Sequence, residues 1–243
     1  MNTKQEILDF LVMLVKASKK FSHVSNDLVE KALLKEIRRR PSFHSILQRP
    51  SLKGLERNKI VKTLIRRVRS SLFPYTSMHY TRKADKRYEY FDALKKNTDQ
   101  GHAEEINRNI LRCHTSSRER LQHYEGLYLD IFAITGQPKS ILDIACGLNP
   151  FSLPFMGLAD FEYIVSDADV ATCNLLKDYF VLTQSRGVKG TVLCLNLLSD
   201  GDLETIRKLP LVDVCFLFKI LDLLDKRGHK RSEMLLTAVN AHY

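Results

Sequence analysis

The chain has 243 residues, 44% of them hydrophobic, and 38 Lys and Arg against 28 Asp and Glu give a formal charge of +10. A globular protein of one large domain, or a medium domain with a smaller module, is expected from that length and apolar content. No apolar run approaches the roughly 18 residues of a membrane span, and MNTKQEILDF lacks a signal-peptide layout, so the expected location is cytoplasmic, without membrane contact.

From residue 5 to about 113 the pattern is helical. The segments EILDFLVMLVKASKKF, NDLVEKALLKEIRRR, LERNKIVKTLIRRVRSSLF and ADKRYEYFDALKKN carry apolar residues at helical spacing, with Pro41, Pro50 and Pro74 as breaks. This half is also the basic one. Residues 1–100 hold 23 Lys and Arg against 10 Asp and Glu, whereas 101–243 hold 15 against 18. Within 57–87 ten basic side chains face one acid, with Phe73, Tyr75, His79 and Tyr80 among them. That imbalance is too great for salt-bridge lacing, and it favours a polyanion-binding surface of Lys59, Lys62, Arg66, Arg67, Arg69, Arg82, Lys83, Lys86 and Arg87, nucleic acid before membrane phosphates, over a plain solvated helix face.

Next, SSRERLQHYEGLYLDIFAIT at 116–135 opens with a Ser116-x-x-Glu119 capping-box pattern and reads as one amphipathic helix packing the two modules together. After Thr135-Gly136 short β-rich runs alternate with helical ones: SILDIA, FEYIVSD, GTVLCLN and LVDVCFLF. Such alternation predicts a parallel sheet covered by helices. The expected division is therefore a helical basic domain at 1–113 and an α/β domain at 114–243. The five cysteines are odd in number and include no C-x-x-C pair, so neither a disulfide framework nor a metal site is indicated.

KSILDIACGLNPFSLP at 139–154 is compatible with a plain strand, turn and helix start, with Asn149 as N-cap and Pro150 as first helical residue. Three further residues sharpen it. Asp143 lies inside the strand, Ala145 and Gly147 are small residues at its exit, and about twenty residues on Asp167 ends the next strand, where a carboxylate can accept both ribose hydroxyls. The third strand ends in Leu195-Asn196, whose amide can read an adenine edge, and the fourth in Phe218-Lys219. The second and third glycines of a dinucleotide fingerprint are missing, so a nucleoside-type cofactor without phosphates suits the pattern better.

HTSSRERL at 114–121, LDIACGLNP at 142–150, SDAD at 166–169, LN at 195–196 and FLFKILDLLD at 216–225 resemble, in order and approximate spacing, the motifs of the Arm/Rmt aminoglycoside-resistance 16S rRNA methyltransferases. The resemblance is clear over about 102–240. It implies an α/β fold with a Rossmann-like S-adenosylmethionine-dependent methyltransferase sheet behind an N-terminal helical domain. The implied reaction is methylation of a guanine N7 in the decoding site of the 30S subunit, giving aminoglycoside resistance, by a monomer whose partner is 16S rRNA.

It also implies that Arg120 holds the methionine carboxylate, that Asp143, Ala145 and Gly147 surround the methionine portion, that Asp167 takes the ribose hydroxyls with Ala168 beside it also binding the cofactor, and that Leu195 and Asn196 border the adenine. Phe218 and Lys219 would line the mouth where the base enters, and no residue is needed as a general base. Plainer readings stay open: Arg120 in an ion pair with Glu119 or Glu125, Asp143 as a strand-end acceptor, Lys219 as a strand-end charge, His114 as a structural residue before the cap. Against the family's pattern, the sequence stops at LLTAVNAHY before a further strand and a terminal hairpin. A four-stranded sheet is then expected, its fourth strand an unprotected edge unless something covers it, and a catalytically inactive RNA- or ribosome-binding protein on a degenerate methyltransferase fold is the alternative reading.

Overall fold

A computed structural model describes residues 3–18, 21–22, 24, 26–72, 85–97, 99–225 and 230–243. The chain forms two compact units, Met1–Met78 and His79–Tyr243. The first is helical: α1 (Thr3–Lys16), α2 (Asn26–Arg39), the single turn α3 (Pro41–His44) and α4 (Lys59–Leu72). Its core is the apolar stripes of these helices, among them Ile7, Leu11 and Val15 of α1, Val29 and Leu33 of α2, and Leu64 and Val68 of α4. The i, i+4, i+8 spacing in α1 places those three on one face. Arg69 closes the end of α1, its guanidinium donating to the carbonyls of Leu14 (2.7 Å) and Val15 (3.1 Å). Carbonyls at a helix C-terminus lack intrahelical donors, so this contact has a structural purpose.

The second unit begins with α5 (Lys86–Lys96), α6 (Gln100–Leu111), α7 (Thr115–Arg120) and α8 (Tyr124–Thr135). The division thus falls at 78/79 and not at the expected 113/114. Phe91 of α5 and Ile106, Ile110 and Leu111 of α6 belong to the core beneath the sheet. Helical spacing reads the same whichever core it feeds, which is why the sequence grouped them with the first unit. The single helix expected over 116–135 is two. The N-cap of α7 is His114, extended at φ −119°, and no capping box forms, because Ser116 Oγ accepts from Arg120 (2.7 Å) and Glu119 pairs with Lys219.

Four parallel strands follow, β1 (Ser140–Ile144), β2 (Glu162–Asp167), β3 (Lys189–Cys194) and β4 (Val214–Phe216), in the order β3-β2-β1-β4. Successive residues alternate between faces, as a pleated strand requires. Ile141, Tyr163, Val165, Val214 and Phe216 join the core under α5, α6, α8 and α9 (Val170–Thr183), while Leu142, Ile144 and Ile164 join the opposite one with α10 (Asp200–Arg207), α11 (Leu221–Asp225) and α12 (Arg231–Leu236). At the amino end of the sheet the Asp213 carboxylate accepts from the amides of Lys139 (2.7 Å) and Ser140 (2.9 Å).

The fourth strand is not left bare. Residues 240–243 run parallel beside it: Val212 donates to the Asn240 carbonyl (3.1 Å), His242 to Val212 (3.0 Å), Tyr243 to Asp213 (3.1 Å) and Cys215 to Tyr243 (2.8 Å). This corrects the expected open edge, because the short stretch satisfies the outward donors and acceptors of 212–215. No helix among the described residues is long and apolar enough to cross a membrane.

Candidate binding site at the carboxyl end of the sheet

In an open parallel sheet the crevice for a ligand opens at the carboxyl ends of the strands where their order reverses, here between β1 and β4. The chain leaves β1 through Ala145 and Gly147, both at positive φ (54° and 55°). Ala145 bears a methyl in a region that disfavours side chains, the kind of local strain found at ligand-binding turns. At Gly147 an added Cβ would lie 3.0 Å from the His114 ring, so a side chain there is disfavoured sterically as well as torsionally. His114 is thus the N-cap residue of α7 and a wall against this turn.

Asp167 holds the turn from the other side. Its Oδ2 accepts from the Gly147 amide (2.8 Å), its Oδ1 from that of Asp169 (2.8 Å), and the Ala168 amide also turns toward it. Each carboxylate oxygen can accept a second bond, which leaves capacity for hydroxyl donors. Burial pushes its carboxyl up to about 6. Leu195 is buried and donates its amide to the Asp167 carbonyl (3.0 Å). Asn196 turns its side-chain oxygen to the Leu198 amide (3.0 Å), forming the loop after β3.

Asp143 is 0% exposed. Its Oδ2 accepts from Asn149 Nδ2 (2.8 Å) and Tyr163 OH (3.0 Å), while Oδ1 is buried with no partner among the described residues. Burial raises its carboxyl to about 7, outweighing those two bonds and the nearby Arg120 charge. Arg120 donates from Nη1 to Ser116 Oγ (2.7 Å) and from Nη2 to Asn149 Oδ1 (3.1 Å); its Nε is buried and likewise has no partner among the described residues. The guanidinium stacks over Phe218 at 4.6 Å, and Phe218 stacks on Phe216 at 5.1 Å. Lys219, at φ 60°, forms an exposed pair with Glu119. None of the ion pairs first considered for Arg120 forms; the guanidinium turns inward.

Sequence reasoning missed the polar cluster behind these groups: Asn149, Tyr124, Tyr128, Ser152 and Tyr163. Tyr124 OH donates to Asn149 Oδ1 (2.9 Å), and Tyr128 OH shares a hydrogen bond with Ser152 Oγ (2.6 Å). Asn149 is not the expected N-cap; Leu148 takes that position before a 3-10 turn over Asn149–Phe155. Residues four apart advance by about 40° around a straight helix. Arg120, Tyr124 and Tyr128, spaced four apart across the break at 121–123, all reach Asn149. A signal was present: Tyr124 and Tyr128 are polar-tipped aromatics at i, i+4, which need partners when buried.

The proposed polyanion surface divides by accessibility. Lys59, Lys62 and Arg66 are exposed along α4, and Lys86 is exposed at the start of α5. Arg67 pairs with Glu36 (3.0 Å), Arg69 is occupied at the end of α1, and Arg87 is 2% exposed beside Asp169 (3.8 Å). Arg82 and Lys83, with Phe73, Tyr75, His79 and Tyr80, lie outside the described residues. Among the described residues no three His, Cys, Asp or Glu side chains are grouped to hold a metal ion.

Comparison with known proteins adds three findings. The profile of a family described as ribosomal RNA methyltransferase (FmrO) matches residues 63–243. A 16S rRNA (guanine(1405)-N(7))-methyltransferase of Proteus mirabilis is 36% identical over 126 residues, covering 51% of this chain and 42% of that protein. One of the same description from Micromonospora echinospora is 46% identical over 63 residues, covering 26% and 23%. The aligned stretch is thus less than half of each curated relative. Among solved structures, the 16S rRNA methylase RmtB superposes with a TM-score of 0.65 at 22% identity, over 96% of this chain and 80% of that one. RmtF in complex with S-adenosyl-L-homocysteine does so at 0.67 and 20%, over 99% and 78%. At such identities the likeness concerns the fold.

Proposed function

The chain belongs to the FmrO ribosomal RNA methyltransferase family, and from that premise we propose that it transfers a methyl group from S-adenosylmethionine to N7 of a guanine in the decoding-site region of 16S rRNA within the 30S subunit. Aminoglycoside resistance is the expected consequence in a cytoplasmic setting. The observation that carries the reading is the pair of orphaned buried atoms at the strand ends, a donor at Arg120 Nε and an acceptor at Asp143 Oδ1. A buried polar atom without a partner costs roughly 1–3 kcal/mol, so two of opposite sense suit a ligand that is anionic at one point and cationic at another. The methionine end of this cofactor is such a zwitterion.

When bound, the cofactor supplies an electrophilic methyl on a sulfonium. Arg120 would take its carboxylate and Asp143 its ammonium, the Ala145–Gly147 turn would give it bare backbone, and Asp167 with Ala168 would receive the ribose hydroxyls. Leu195 and Asn196 would border the base of the nucleoside. Phe218, already covering Arg120, would shield that contact from water, and Lys219 would face incoming RNA. Guanine N7 has a lone pair and no proton, so these residues have to place and desolvate the reactants, and none has to remove a proton. The exposed bases of α4 would meet phosphates.

The test is methyl transfer from labelled cofactor to isolated 30S subunits, with mapping of the modified base. Label at a guanine N7 of the decoding site is the expected result. Cofactor binding and 30S binding with no transfer would favour the non-catalytic RNA-binding reading, and the absence of both would overturn the proposal.

A further inference from the structure

Asn149 is 1% exposed and makes four polar contacts. Its Oδ1 accepts from Arg120 Nη2 (3.1 Å) and Tyr124 OH (2.9 Å); its Nδ2 donates to Asp143 Oδ2 (2.8 Å) and Tyr128 OH (3.4 Å). The carboxamide therefore stands with its oxygen toward a cation and its nitrogen toward an acid. Two oppositely charged side chains in a water-poor site would otherwise gain by pairing with each other. A neutral amide wedged between them satisfies one face of each and keeps them apart. Their remaining valences, Arg120 Nε and Asp143 Oδ1, stay unspent.

We propose that Asn149 is a positioning residue that makes the site selective for a ligand ending in an α-amino acid, by holding Arg120 and Asp143 apart and in fixed orientation. No side chain of similar size does the same. Aspartate would set a second anion beside Asp143, and leucine would leave Tyr124, Tyr128 and both charged groups without their shared partner. Tyr124 reinforces the arrangement, because its hydroxyl and ring (5.7 Å from the guanidinium) limit the rotations open to Arg120. The role rests on the proposed adenosyl cofactor, and it concerns how one end of that cofactor is distinguished.

Two ligands separate the role from mere support of the fold: S-adenosylhomocysteine, and 5′-methylthioadenosine, which keeps the nucleoside thioether but lacks the amino-acid end. Calorimetry on the full chain should show Asn149→Leu weakening the first by about tenfold or more while 5′-methylthioadenosine stays within about twofold, the scale of a lost charged hydrogen bond. In the methyl-transfer assay KM for the cofactor should rise more than kcat falls. If the leucine variant does not fold, Asn149→Asp carries the same comparison with the same expected selectivity loss. Equal weakening of both ligands would reduce Asn149 to a structural residue and overturn the proposal. A wild-type chain that binds neither ligand would instead refute the adenosyl-cofactor reading, and this role with it.

Discussion

Asp143 shows what a single buried carboxyl does to this site. Its folded pKa of about 7 lies above the roughly 3.9 of an unfolded aspartate, so the folded state binds the proton more tightly. The stability it contributes is full below about pH 4 and is lost as pH rises through about 7, a window in which Asp167, at about 6, acts in the same direction. Thermal unfolding between about pH 5 and 8 should show the midpoint falling with pH, and Asp143→Asn should flatten that slope. A ligand ammonium on Oδ1 favours the ionised form, so affinity for S-adenosylhomocysteine should rise over the same range. Gly147→Ala should cost about 1–2 kcal/mol by denaturant unfolding, through a methyl at positive φ against His114. The positions of Asp143, Ala145, Gly147 and Asp167 at the carboxyl ends of β1 and β2 were legible, because they follow from the strand runs themselves. Asn149 was not, because Asn before Pro reads equally well as a helix cap, and a side chain turned inward toward a distant strand leaves no local mark.

Elements were more legible than their junctions. β1, β2 and β3 appear within about two residues of their sequence runs, whereas β4 keeps only Val214–Phe216 of LVDVCFLF; the central strands β1 and β2 read clearly because a strand covered on both faces is apolar nearly throughout. What escaped was the 240–243 stretch, too short and too mixed in polarity to read as a strand, although its backbone completes the flank of β4. His242→Pro removes the donor to the Val212 carbonyl and should lower the melting temperature. In hydrogen exchange the amides of Val212 and Cys215 should be protected in the native protein and lose protection in that variant. Along α4, Arg69→Ala should destabilise the first unit by about 1–2 kcal/mol through the freed carbonyls of Leu14 and Val15, while Arg66→Ala should leave stability unchanged.

At the scale of the whole molecule, charge and chemistry are segregated along the chain. Residues 1–100 carry a balance of +13 and the remainder −3, and the strand ends that suit a cofactor all lie in the second unit. Replacing Lys59, Lys62 and Arg66 together by Ala should weaken 30S binding. It should also lower the magnitude of the log–log salt slope by about 0.7–0.9 per phosphate contact removed, with affinity for S-adenosylhomocysteine unchanged. An unaltered slope would put the RNA contacts elsewhere. The segregation was visible in the sequence, whereas the affiliation of α5 and α6 was not, because it depends on which core receives Phe91 and Ile110.

The order β3-β2-β1-β4 also sets a timetable. The helices α1 to α4 and the core they share all lie within the first unit, so a chain synthesised from its amino terminus can close that bundle early. β1 cannot acquire its second neighbour until β4 exists, and the Asp213 carboxylate that anchors Ser140 lies 73 residues further along. Pairings that distant fold slowly. During translation β1 and β2 pass through an interval with an open flank, and the nascent protein is then most exposed to misassociation and most dependent on chaperones.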